Sequence, residues 1–260
     1  MRAKLFRRDE SVYKEASIFD AWLKNADERD RFSKFFEEKL DVWATKSPLS
    51  IIDIGCGSGA SGMRIMEILG NASINYKYTG IEPFEDQLKY FKDKLNNKKN
   101  IQFKVSTLED FQTNDRFDMA FVVHSLYYVP DMLEAVKKIH SFSERAAIVH
   151  QGYRGINEIH ERFRNYMKKG PHLISTCDDI ARCLDNAGID FELHSFESKV
   201  NVSSIKENGN ETGRKLIQFF LERTDLSDDI IEEIRDYFRK GPDIIIQDEG
   251  FFITKNKRIS

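Results

Sequence analysis

Residues 50 to 62, Ser50-Ile-Ile-Asp-Ile-Gly-Cys-Gly-Ser-Gly-Ala-Ser-Gly62, decide the fold of this chain. Ile51 to Ile54 is a β-branched run, apolar apart from Asp53, and reads as a strand buried on both faces. It breaks at Gly55, Gly57 and Gly59, after which Ile65, Met66, Ile68 and Leu69 resume at helical spacing. A strand, a glycine turn and a helix make a ligand cradle. The glycines let the backbone approach the ligand, and the helix start offers N–H groups that have no partner within the helix.

The ligand is decided by what surrounds the glycines. Gly57, Gly59 and Gly62 also satisfy G-x-G-x-x-G, the dinucleotide fingerprint, so that pattern leaves a nicotinamide cofactor open. An acid at the strand end repels a pyrophosphate, whereas S-adenosylmethionine carries a sulfonium and an ammonium. With Asp53, the stretch resembles the Asp-x-Gly-x-Gly-x-Gly of S-adenosylmethionine-dependent methyltransferases, and that cofactor is expected on Asp53, Gly55, Gly57 and Gly59. Tyr76 to Glu82 reads as the second strand. Its closing acid lies about 25 positions beyond the turn, near the spacing at which a carboxylate binds a ribose diol.

Working outward, residues 1 to 46 read as helical, with Tyr13, Ile18, Phe19, Trp22 and Leu23 on one apolar face and Phe32, Phe35, Phe36, Leu40 and Trp43 on another. A polar break containing Glu28 separates them, and the pair is expected to form a lid over the cofactor cleft. Strands follow at 99–105, 117–123 and 145–150, each with a helix between it and the next or before it, which predicts a parallel, doubly wound sheet. The segment after the fourth strand, His124-Ser-Leu-Tyr-Tyr-Val-Pro-Asp131, lies where open α/β sheets place their chemistry, so His124, Tyr127 and Tyr128 are pocket candidates. Residues 151 to 170 read as helix, and Ser175 or Thr176 with Asp178 and Asp179 caps another. Phe191 to Val202 is a strand, two helices occupy 214 to 239, and 244 to 254 is a last strand interrupted by Asp248 and Glu249. Three segments are expected: a helical lid (1–46), a cofactor-binding core (47–155), and substrate-side helices with closing strands (156–260).

Composition narrows the function classes. The formal net charge is −3 and the pI near 6.1, which argues against a nucleic-acid or acidic-membrane surface. Cysteines at 56, 177 and 183 form no metal-binding or disulfide pattern, so no metal and a reducing compartment are expected. The first ten residues form no apolar signal segment and no later run is long enough to span a bilayer. A cytoplasmic monomer is expected.

Beyond the glycine turn the chain is similar to the histamine N-methyltransferase family. The resemblance rests on Ser125-Leu-Tyr-Tyr-Val-Pro-Asp131, the Glu82-to-Gln87 spacing, Asp178-Asp-Ile180 followed by Leu184-Asp-Asn-Ala-Gly188, and Asn208-Gly-Asn-Glu-Thr-Gly213, and it covers nearly the whole chain. It implies a class I methyltransferase with a seven-stranded, mostly parallel sheet and a small helical substrate lobe. It also implies cofactor contacts at Gly55, Glu82, Gln87, Thr107 and Val123, and a substrate-binding acid at Glu28. The family's substrate-binding asparagine in the last strand falls at or beside Asp248, and its pocket glutamine falls on His124. Phe19, Trp22, His172 and Phe219 are placed on the substrate side. Three positions depart from the family: His124 replaces glutamine, Asp248 replaces asparagine, and Asp53 replaces a smaller polar residue.

The chemistry expected is methyl transfer to a small amine, with Glu28 and Asp248 holding a cationic nitrogen and His124 acting as base or hydrogen-bond partner. The alternatives are a small-molecule O-methyltransferase and a protein that binds the cofactor without catalysis.

Overall fold

Strand β1 (Leu49–Ile54) lies between two parallel neighbours, β2 (Tyr76–Glu82) and β4 (Met119–Val123). That position explains its composition. Ile51 points into an apolar cluster on one face of the sheet, while Ile52 and Ile54 point into a second cluster on the other. In the computed structural model, which describes residues 12–95, 99–167 and 174–255, β3 (Ile101–Val105) pairs with β2 and β5 (Ala146–Gln151) with β4, all parallel. β7 (Ile244–Thr254) then runs antiparallel beside β5, and β6 (Phe191–Asn201) closes the sheet in the order β3-β2-β1-β4-β5-β7-β6. The seven-stranded, mostly parallel sheet is the one the sequence predicts.

Helices cover both faces. On one, α2 (Glu28–Glu38), α3 (Leu40–Trp43), α4 (Ala60–Asn71) and α5 (Glu85–Lys94) bring Phe36, Trp43, Leu69 and Phe91 against Ile51, Phe121 and Phe251. On the other, α6 (Met132–Phe142) and α8 (Cys177–Asn186) bury Val136, Ile139 and Leu184 against Ile52, Ile148 and Phe252. Helix starts follow the sequence signals. Asp131 accepts the N–H of Glu134 at 3.0 Å, and the N–H of Thr176 donates to Asp179 Oδ2 at 2.7 Å.

The chain divides into two compact units that interleave along the sequence. The sheet unit takes the described residues of Arg29–Gln151, Thr176–Phe196 and Glu249–Ser260. The helical unit takes those of Met1–Glu28, Gly152–Ser175 and Glu197–Asp248. In the helical unit, α1 (Ala16–Asn25), α7 (Ile156–Arg162), α9 (Glu211–Leu221) and α10 (Asp228–Arg239) gather Ile18, Trp22, Ile159, Leu216, Phe220 and Phe238 into a core of their own. The 1–46 stretch is split at Ala26 and Asp27, where the backbone is held extended: Asp27 exchanges hydrogen bonds with Lys199, and Ala26 bridges Val200. Within 151–170, helix α7 is shorter than expected.

Gly59 fixes the entry to α4. Its φ is +85, and a Cβ there would fall inside the ring of Phe91, which is fully buried and cannot swing out. Gly57 has φ +50, but a Cβ there would meet nothing within 4 Å. Gly59→Ala should therefore cost about 2–4 kcal/mol of stability, backbone strain plus overpacking. Gly57→Ala should cost only the strain, about 1–2 kcal/mol. Urea unfolding of the two variants checks the ordering, and equal losses would contradict it.

Candidate active site

Strand order reverses between β1 and β4, and ligands of such sheets bind outside the carboxyl ends of the strands at that point. The glycine turn follows β1 there. The N–H groups of Gly55 and Cys56 both donate to Ile81 O, at 2.9 and 3.1 Å, which ties the turn to β2. Open space above Gly57 gives a ligand room to lie against the backbone.

Glu82, at the end of β2, closes the cradle from the side. Its Oε2 accepts the N–H of Gly57 and its Oε1 the N–H of Phe84, both at 3.1 Å. Burial pushes this carboxyl up to about 7; the two N–H donors oppose the rise and the charge of Asp53 adds to it. Asp53 is also pushed up to about 7 by burial, opposed by a 2.5 Å hydrogen bond from the Tyr78 hydroxyl. The Asp53 carboxylate thus lies beneath the turn and is engaged with Tyr78. It does not face the open space above Gly57, where the sequence reading expects an acid to meet the cofactor's positive charge. Strand parity sends residue 53 to the α4 side of β1. Burial raises the Cys56 thiol, and the nearby charges of Asp53 and Glu82 raise it further, so it stays protonated at neutral pH.

The remaining cofactor candidates lie around this cradle within the sheet unit. Gln87 is buried on α5 and Val123 is the buried last residue of β4. Thr107 is engaged locally: its hydroxyl accepts the Asp110 N–H at 3.1 Å and donates to the Asp110 carboxylate at 3.2 Å.

At the end of β4, His124 has φ +51, a left-handed conformation few side chains adopt, and its N–H donates to Val149 O at 3.1 Å. Its Nε2 lies 3.7 Å from Glu249 Oε2, with both side chains buried. The next residue, Ser125, donates to Ile54 O at 2.9 Å and packs against Gly55. Tyr127 and Tyr128 form a short 3-10 turn with ring centres 4.8 Å apart, and Tyr127 lies 5.2 Å from the His150 ring.

In the helical unit, Glu28 is buried, and its two carboxylate oxygens accept Trp22 Nε1 at 2.9 Å and Gln247 Nε2 at 3.4 Å. Phe219 stacks on Trp22 at 4.7 Å, and Phe19 lies 6.1 Å from Phe219. Asp248 points the other way: its half-exposed carboxylate pairs with Arg154, 2.7 Å from Nη2. Its neighbours Gln247 and Glu249 are the buried residues of this stretch, because alternate residues of β7 face opposite sides. From sequence, Asp248 and Glu249 read alike, as acids that mark an exposed edge or a bulge or line a pocket for a cation, and Gln247 carries no signal. His172 lies outside the described residues.

The family of methyltransferase domains matches residues 45–188, which contain the whole cradle. The chain belongs to this family. The methyltransferase is 26% identical to histamine N-methyltransferase of Bos taurus, over 95% of this chain and 94% of the relative. Among solved structures it is similar to YcgJ of Bacillus subtilis, with a TM-score of 0.59 at 15% identity over 86% of this chain and 99% of that one. It is also similar to the plantazolicin methyltransferase BpumL solved with SAH, with a TM-score of 0.52 at 17% identity over 88% and 85% of the two chains. The fold is the Rossmann-like fold of class I methyltransferases, and the cofactor of the family is S-adenosylmethionine. Among the described residues, no helix is long and apolar enough to cross a membrane.

The raised carboxyl of Glu82 has two opposite consequences. In the unliganded protein its contribution to stability is fully present below the ordinary glutamate range and is lost as pH rises to about 7, and Asp53 acts in the same sense. Binding a ribose diol needs the ionised form, which accepts both hydroxyls. Unliganded protein should therefore melt lower at pH 8 than at pH 6 through these groups, while S-adenosylhomocysteine should bind more tightly at pH 8. Glu82→Gln should weaken binding by about 1.5–3 kcal/mol and flatten its pH dependence. Asp53→Asn keeps an acceptor for Tyr78 but removes a charge that adds to the rise at Glu82, so a smaller binding slope should remain. Calorimetry at the two pH values checks all three, and a slope surviving in Glu82→Gln would remove Glu82 from the ribose site.

Proposed function

We propose that this methyltransferase moves the methyl group of S-adenosylmethionine to a nitrogen of a small amine, histamine or a related imidazole or biogenic amine. The observation that carries the reading is Glu28. A buried carboxylate that accepts Trp22 Nε1 and Gln247 Nε2 beside stacked aromatic rings is a group that can receive an ammonium. Similarity to histamine N-methyltransferase along nearly the whole chain supports the same choice.

On this reading the backbone of Gly55, Gly57 and Gly59 receives the amino-acid part of the cofactor and Glu82 its ribose. Gln87, Thr107 and Val123 line the remainder. Trp22, Phe19 and Phe219 give the acceptor its apolar surroundings, and His124, Tyr127 and Tyr128 belong to the reacting end. Asp248 contributes less charge than the sequence alone suggests, because Arg154 neutralises it. The transfer asks the protein to align a nitrogen lone pair with the methyl carbon and to keep water out. A monomer acting in the cytoplasm, without nucleic-acid partners, completes the proposal.

Methyl transfer to a panel of amines, phenols and carboxylates tests it. Glu28→Gln should raise KM for cationic acceptors about tenfold or more, the scale of a lost charged hydrogen bond, with a smaller change in kcat, since an anchor acts alike in ground and transition states. A neutral or anionic acceptor turned over equally well by wild type and Glu28→Gln would refute it.

A further inference from the structure

We propose that Glu249 and His124 act as one proton-accepting pair in the methyl transfer, with His124 taking the proton from the acceptor nitrogen and Glu249 as the positioning residue that holds the imidazole. The inference rests on the amine reading above and adds Glu249 to it. The contact is His124 Nε2 to Glu249 Oε2, 3.7 Å, between side chains 9% and 0% exposed.

Three features argue that the pair serves more than packing. Glu249 stands in the strand just before Phe251, Phe252 and Ile253, where burying a carboxylate is costly and an apolar residue would pack at lower cost. His124 is held at φ +51, strain of the kind that persists where function requires it. And the imidazole is fixed beside the cofactor cradle, because Ser125, next in the chain, bonds Ile54 O and abuts Gly55. Within the sheet unit, titratable groups near the imidazole include Tyr127, with its ring 6.4 Å away, and Tyr128 and His150, each packed on Tyr127.

The chemistry gives the pair a task. An aliphatic amine arrives as an ammonium, and an ordinary imidazole is about four orders of magnitude less basic. A carboxylate beside the ring stabilises the charge acquired on taking the proton, which narrows that gap. The ammonium gives one proton to the imidazole, and the freed lone pair attacks the methyl carbon. The N–C bond forms as the C–S bond breaks, its electron pair staying on sulfur as S-adenosylhomocysteine. The product leaves as the methylated ammonium, and the proton on His124 passes to solvent.

The test uses the full chain as wild type, His124→Asn, Glu249→Gln and the double variant; asparagine tolerates the left-handed backbone at 124. Two readouts are taken. In urea unfolding without ligand, each single variant should lower the midpoint and the double should lose less than the sum, the mark of a pair in contact. In turnover of an amine acceptor, each single variant should lose about a hundredfold in kcat with KM and S-adenosylhomocysteine affinity nearly unchanged, and the double should lose no more than the worse single. His124→Gly, which relieves the backbone and leaves a cavity, should regain turnover when free imidazole is added. Single variants with wild-type kcat, losses that multiply in the double, or no response to imidazole would overturn the pair and leave the amine reading standing. A wild type that binds S-adenosylhomocysteine but methylates no amine would overturn both.

Discussion

The Glu82 carboxylate accepts one backbone N–H from the glycine turn and one from the loop after β2, and the rest of the cofactor side is arranged around that bridge. Side chains would strain the turn, because Gly55, Gly57 and Gly59 all sit at positive φ. Once it is built, its N–H groups need an acceptor, and the acid two strands' ends meet is Glu82. On the proposed reading the same carboxylate takes the ribose diol, so one group would both complete the turn and read the ligand. Burial makes that arrangement expensive, and Asp53 close by raises the expense. A cradle of this kind is most at ease when occupied.

Much of this was legible in the residues. Ile51–Ile54 with the three glycines marks the first strand and its turn, and Tyr76–Glu82 reads as the second strand with its acid at the end. Ala187-Gly188 and Thr176 with Asp179 marked the ends of α8 because caps depend on local chemistry. What could not be read was long-range. Nothing in residues 1 to 46 shows that Ala26 and Asp27 are held extended by Lys199 and Val200, or that the units divide just beyond them, between Glu28 and Arg29. Asp53 illustrates a different gap: its type was informative, but only the position of Tyr78 on β2 shows where its carboxylate is engaged.

The acids of β7 show how near the sequence came to the site. Asp248 was preferred there by its alignment with a family asparagine, which does not fix which face of a strand a residue occupies. Alternation does. Gln247 and Glu249 are buried and Asp248 is not, yet Phe251 and Phe252 are buried on opposite faces, so the apolar end of the strand does not tell from sequence which acid is turned inward.

That parity has an evolutionary reading. Asp248 and Glu249 are adjacent and chemically close, yet one meets Arg154 at the surface while the other meets His124 inside. The pairing of Gln151 with Glu249 and of His150 with Gly250 holds the choice in place. Loss or gain of a single residue before Gly250 would change which acid is turned inward and which neighbour it meets. Length change in the closing strand, more than substitution within it, would thus exchange the acid that faces His124.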